Sequence, residues 1–307
     1  KNFKFLDEEH KIIIGKSDKK SEIFDTIIFA CRDIKEATIP KEIKYIQKNA
    51  FEDCNLLKSV KFSSDSNLIS IGKNAFSFSS IKEITIPKSV TQIQKYAFNN
   101  CDELEKVVFE EGSNLTSFSE CVFNSCYNLR MIEVPKKMKL RSIEGHFINN
   151  TQIKELFIHS TVENIDENWC YNIKNLSKVI ISPENKNFKY LDEDHKIIVE
   201  KSDKNSEVFD TIIFASRDIK EATIPEQIKY IKPHSFENCQ QLKTIIFSKD
   251  SKITFFMAST FSLSSIQNLT IPASLEEIDE GWCDGSLGLI NVKISPGNKN
   301  FKFLDEE

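Results

Sequence analysis

Eight cysteines and five histidines are the side chains of this 307-residue chain best suited to chemistry, as nucleophiles, metal ligands or disulfides. Their spacing speaks against each use in turn. No CxxC pair offers the thiolates of a zinc site, and no GxSxG, HExxH or glycine-rich phosphate loop is present. His10 and His195 follow acidic runs, Asp7-Glu8-Glu9 and Asp192-Glu193-Asp194, that would be the carboxylates for Ca²⁺. A calcium loop, however, alternates its oxygen ligands and bends sharply at a glycine. Three consecutive carboxylates entering an apolar stretch read instead as a solvated turn. With only eight glycines, the close backbone approaches that many cofactors need are scarce. These residues point to no catalytic group, no cofactor and no metal.

The cysteines acquire a pattern once the elements that hold them are found. Eleven stretches fit one template, (L/I)xxhxh with h apolar, opening at Ile34, Leu57, Ile81, Leu104, Leu129, Ile153, Leu176, Ile219, Leu242, Ile266 and Leu289. The steps are 23 to 25 residues, with one of 43, which is the period of a leucine-rich solenoid. In the coil Ile81–Cys101, Ile81, Ile84 and Ile86 face inward from a strand that Pro87 ends. Val90 and Ile93 continue the apolar row, and Ala97-Phe98 fills an outer corner. Phe51, Phe76, Phe98, Phe123, Phe147, Phe236 and Phe261 are expected to stack there as a spine. Counting three residues back from each strand places Cys54, Phe78, Cys101, Cys126, Asn150, Ile173, Cys239 and Ser286 in one inward slot. Cys170 and Cys283 fall at the corner. Most of these cysteines thus read as buried free thiols behaving as small hydrophobes. Cys101 and Cys126, on adjacent coils about 4.8 Å apart, are left open as thiols or a bridge.

The predicted fold is an α/β repeat solenoid: a right-handed leucine-rich-repeat coil with a parallel β-sheet on the concave face, short helices or turns on the outer arc, and β-hairpin islands. A longer repeat underlies the short one. Residues 1–51 align without gaps onto 186–236, an offset of 185, and Trp169-Cys170 matches Trp282-Cys283 at an offset of 113. One elongated domain is expected over 1–307, divided into a hairpin island at 1–33, seven coils over 34–185, a second island at 186–218, four coils over 219–297 and the start of a third island at 298–307. Both ends are expected to lie inside the array, so the missing signal peptide carries no weight. No run within 1–307 is suited to membrane insertion.

Each coil spends its apolar residues on its neighbours, so function must sit on a surface. The third and fifth template positions point away from the core, and most are short and polar. Val108, Met131, Phe157, Ile180 and Ile246 are the apolar exceptions; together with Glu133, Glu155 and Lys178 they form the candidate contact surface for a protein ligand. The 41 basic and 46 acidic residues balance near neutrality, and no cationic stripe invites nucleic acid. Four N-x-S/T sequons, at Asn114, Asn149, Asn175 and Asn268, permit N-glycosylation.

The coil IPxxhxxIxxxAFxxCxxLxxV, nearly intact at 40–60 and 87–107, resembles the BspA-like class of leucine-rich repeats. The likeness extends over nearly the whole chain, with Trp169-Cys170, Trp282-Cys283, His146-Phe147 and Ser235-Phe236 departing from its Ala-Phe pair. It implies a cell-surface or secreted protein of a mucosal bacterium or a parasitic protist, an adhesin or antigen that contacts host cells, matrix proteins or other microbes. It transfers no catalytic residue. The alternative expectation is an intracellular scaffold, since stacked coils with reduced thiols suit the cytosol equally well.

Overall fold

The computed structural model describes residues 2–302, so residues 303–307 of the expected third island lie outside the described residues. It comprises two units, Lys1–Trp169 and Cys170–Glu307. In the first, Glu36–Ile39, Ser59–Phe62, Glu83–Ile86, Lys106–Phe109 and Met131–Glu133 form a parallel five-stranded sheet in which each strand neighbours the next in sequence. The pleat sends Ala37, Val60, Ile84 and Val107 into the core and Glu36, Lys61, Glu83 and Thr85 to solvent. A second wall is built from two-residue strands such as Tyr45–Ile46, Ser70–Ile71 and Gln92–Ile93. Each gives one isoleucine to the core.

The outer arc corrects the α/β expectation. Among the described residues there is no helix, and so none long and apolar enough to cross a membrane; the coils form a β-solenoid. The reason lies in the corner backbone. Two residues four apart take positive φ at each turn of the first unit, Asn49 and Asp53, Asn74 and Phe78, Tyr96 and Asn100, Cys121 and Ser125, His146 and Asn150. That conformation stops a right-handed helix. The N–H groups of Asn49, Phe51 and Asp53 then leave the coil for the carbonyls of Lys73, Ala75 and Ser77, while Ala50, Glu52 and Cys54 close tight turns onto Gln47, Asn49 and Phe51. A helix directs every N–H along its own axis. Here alternate ones are committed to the next coil, so the corner is itself a hydrogen-bonded ladder.

Along this ladder Phe51, Phe76, Phe98 and Phe123 stack face to face at 4.9, 5.2 and 5.5 Å, all fully buried. The expected spine fails at Phe147. The Phe123 N–H reaches the Phe147 carbonyl, just as that of Phe98 reaches Val122, one residue before the corner. Ile148 therefore holds the corner, and Phe147 turns to stack on Phe118 at 5.5 Å. The inward slot shifts for the same reason. Coils that open with Leu57, Leu104 or Leu129 lie six residues beyond their corner, but Ile81 and Ile153 lie five beyond theirs. Ser79 and Thr151, rather than Phe78 and Asn150, are the buried residues there.

Phe78 is instead 46% exposed at φ +58°, a conformation unfavourable for a bulky side chain. Phe78→Asn is expected to leave stability within about 1 kcal/mol of the parent; a loss as large as that of a core ring, read from urea melts, would contradict this placement.

All eight cysteines are free. Cys101 and Cys126 donate their thiols to the carbonyls of Phe76 and Phe98, both at 3.0 Å, so the slot uses sulfur to satisfy the preceding corner.

The second unit repeats this plan, with Glu221–Ile224, Thr244–Phe247, Asn268–Ile271 and Asn291–Ile294 in one parallel sheet. Each island is an antiparallel three-stranded sheet, Phe3–Phe5, Ile12–Gly15 and Thr26–Ala30 in the first unit, and Phe188–Tyr190, Ile197–Glu200 and Thr211–Ala215 in the second. Its last strand pairs in parallel with the first two-residue strand, Tyr45–Ile46 or Tyr230–Ile231. The first acid of each acidic run is a turn cap: Asp7 accepts the N–H groups of Lys11 and Ile12, and Asp192 those of Lys196 and Ile197.

Asp25 and its repeat Asp210 are buried. Each accepts both the N–H and the hydroxyl of a serine, Ser17 or Ser202, at 2.8–2.9 Å. Burial alone would raise these carboxyls, but the hydrogen bonds outweigh it and hold both below the ordinary range. A carboxyl lowered on folding adds stability that is complete above its unfolded value of about 3.9 and drains away as pH falls towards the folded one. Asp25→Asn combined with Asp210→Asn is therefore expected to cost stability at neutral pH and to converge on the parent in acid. A gap in urea midpoint that stays constant from pH 7 down to about pH 2.5 would contradict it.

Arg217 closes the second island. It is only 4% exposed, and it donates to the carbonyls of Cys170, Ile173, Ala215, His234 and Ser235 at 2.9–3.2 Å while its guanidinium lies over Phe214. These oxygens come from the coil before the island, the island and the coil after it. Arg32, its repeat in the first island, is exposed and reaches the carbonyls of Ala30 and Ala50.

Candidate interaction surface

On the long-strand face of the first unit, Lys106 lies in register with Met131 and Val108 with Glu133. Lys106 Nζ crosses diagonally to Glu133 at 2.7 Å. Met131 is 47% exposed and Val108 half-buried, so a small apolar patch sits against an ion pair. The pair's partial exposure makes it worth under about 1 kcal/mol, and it orients the patch more than it stabilises the fold. Glu155 and Phe157 stand on Glu155–Ile158, outside the five-stranded sheet, and the Phe157 ring meets His159 edge-on at 6.1 Å. In the second unit Ile246 is 50% exposed, with Thr223 opposite it in register.

Lys178 and Ile180 lie in the second unit, on the strand Lys178–Ile181, and border a groove of about 840 Å³. Tyr190 and His195 stack within the groove at 4.0 Å, and Lys196 bridges to Asp218 at 2.8 Å. Burial works against the Asp218 carboxylate, but Lys196 and the Ser216 hydroxyl outweigh it and hold it below the usual range. Tyr190 has a further role. Its hydroxyl donates to the Val179 carbonyl at 2.9 Å and accepts the Ile181 N–H at 3.0 Å, occupying backbone groups that a neighbouring strand would otherwise pair. Sequence reading passed over Tyr190. The signal was the hydroxyl it adds where the first copy has Phe5.

The four sequons differ in setting. Asn149 is 4% exposed, so its amide is closed to a glycan in the folded chain. Asn114 is half-buried and donates its amide to the Lys88 carbonyl at 2.9 Å. Asn175 is half-buried, and Asn268 is exposed mid-strand, accepting from Asn291 at 3.0 Å.

The model of the BspA type leucine rich repeat region matches the chain in six copies, over residues 21–144, 69–191 and 207–303. In fold the chain is similar to a leucine rich cell surface protein of Faecalibacterium prausnitzii A2-165, with a TM-score of 0.63 and 19% identity over 95% of this chain and 94% of that one. It is similar also to the pneumococcal vaccine antigen PcpA, at a TM-score of 0.60 and 18% identity over 92% of this chain and 65% of that one. A leucine-rich repeat protein of Eubacterium ventriosum ATCC 27560 gives 0.57 and 17%, over 92% and 70%. At these identities the likeness is one of fold. Comparison with curated proteins gives no match.

Proposed function

Since the chain belongs to the BspA-type leucine-rich repeat family, we propose that it is a non-enzymatic protein-binding module of a cell-surface or secreted protein, contacting host cells, matrix or other microbes. The observation that carries this reading is where the apolar exceptions of the repeat stand. Val108 with Met131 in one unit and Ile246 in the other break the polar rows of otherwise solvated strands, where threonine or lysine would serve the sheet as well. The names of two fold relatives, a cell surface protein and a vaccine antigen, agree with an exposed location. Glycan on Asn114, Asn175 or Asn268 would agree with it too.

The test is adhesion of beads coated with the chain to epithelial cells and to immobilised matrix proteins. Parent beads are expected to bind above blank beads, and Met131→Asp with Ile246→Asp to remove most of that binding while leaving the circular dichroism spectrum unchanged. Equal binding by parent and variant would take the contact off this face. Staining of intact, unpermeabilised source cells with antibody tests the location.

A further inference from the structure

Each island is followed by a long strand that stands at the edge of its sheet. Glu221–Ile224 is the terminal strand of its four-stranded sheet, and Lys178–Ile181 is not part of that sheet, although it lies in the coil just before the island. Glu36–Ile39 is likewise terminal in the first unit. The second copy has a preceding coil and still leaves this edge unpaired, so the opening is a property of the island.

The two edges beside the second island are treated differently. The one at Val179 and Ile181 is closed by the Tyr190 hydroxyl. The one at Glu221–Ile224 keeps its outward backbone groups, those of Glu221 and Thr223, because Lys220 and Ile224 turn their carbonyls to the next coil. An open edge is a template for another strand, and proteins usually block it with a bulge, a proline or a cover. A groove of about 890 Å³ runs beside the corresponding edge in the first unit, bordered by Glu8, Glu9, Lys35, Glu36 and Thr38. Its exposed carboxylates, Glu8, Glu9 and Glu36, recur as Glu193, Asp194 and Glu221. The neighbouring Lys11 and Lys196 are already engaged by Asp33 and Asp218.

We propose that these edges dock an extended, cationic segment of a protein partner, which adds to Glu36–Ile39 or Glu221–Ile224 as a further strand. Main-chain hydrogen bonds to Thr38 or Thr223 hold it, and the carboxylates select lysine or arginine at alternate positions. This deepens the protein-binding reading by naming a second contact and its chemistry. A chain that adheres through Met131 and Ile246 yet takes up no strand here loses this proposal and keeps the earlier one.

The probe is a short fluorescein-labelled peptide alternating lysine and valine, titrated into the full chain and followed by anisotropy. It is expected to bind, and N-methylation of its alternate amides to weaken binding at least about tenfold, because the backbone donors are removed and the charge is kept. Thr38→Pro with Thr223→Pro, which removes only outward N–H groups, is expected to abolish binding in a chain whose circular dichroism is unchanged. Replacing the peptide's lysines by glutamate is expected to do the same. No binding to the parent chain, or equal binding of the N-methylated peptide, would overturn the proposal.

Discussion

Arg217→Ala is expected to destabilise the second unit by about 3–5 kcal/mol, whereas Arg32→Ala changes stability by less than about 1 kcal/mol. The residue type is the same in both places and the surrounding sequence differs next to it only in Cys31 against Ser216; the burial and the partners differ. Arg217 spends its guanidinium on five carbonyls, and truncation leaves a cavity that only water can fill; the Ser235 oxygen keeps the Ala215 N–H and the His234 oxygen the Cys170 thiol, while the others lose this donor. A buried acceptor without a donor costs about 1–3 kcal/mol, and entering water recovers part of the sum. Arg32 is exposed and reaches only two carbonyls, of which that of Ala50 already accepts the Ala30 N–H and keeps it when the guanidinium is removed. The measurement is a pair of urea melts, with hydrogen exchange at Ile212 and Ile231 reporting the second unit. Equal losses from the two alanine variants would refute the bridging role.

Phe98→Ala is the second large effect, at about 3–5 kcal/mol. The ring is fully buried, with Phe76 stacked on one side at 5.2 Å and Phe123 on the other at 5.5 Å. Both neighbours are held by the corner ladder, so the void cannot close by collapse, and the cost belongs at the upper end of the range. Glu83→Ala, on the solvent side of the long sheet, is expected to stay within about 0.5 kcal/mol. Denaturant melts of the two variants decide it, and similar midpoints would mean that inside and outside are interchanged.

The inward side chains of the strands were legible because the (L/I)xxhxh spacing admits one alternation of faces. The corners were less so. A corner six residues before the strand is right for Phe51, Phe98 and Phe123 but misplaces Phe147, and the slot three residues before it misplaces Phe78, because the coils opening at Ile81 and Ile153 use a five-residue connection. Nothing in hydrophobicity separates Phe147 from Ile148; the difference lies in which N–H crosses to the next coil. For the outer arc short helices or turns were expected, and of these the helix is absent among the described residues. It fails because asparagine, aspartate, serine and histidine at four-residue spacing favour the left-handed turn. That spacing was present in Asn49 and Asp53 and in His234 and Asn238, and it is the signal to look for. Of the surface candidates, exposure at Met131 and Ile246 follows from strand alternation, whereas the Tyr190–His195 groove depends on how the island folds, which no local pattern encodes.

The contacts of Arg217 have a consequence for how such chains are assembled. Every oxygen it grips belongs to the main chain, and the side chain it meets in the coil after the island is the Cys239 thiol, at 3.8 Å. A turn that presents the same carbonyls and a small side chain to the guanidinium can be joined there. The number of coils beyond the joint then becomes free to vary without its redesign.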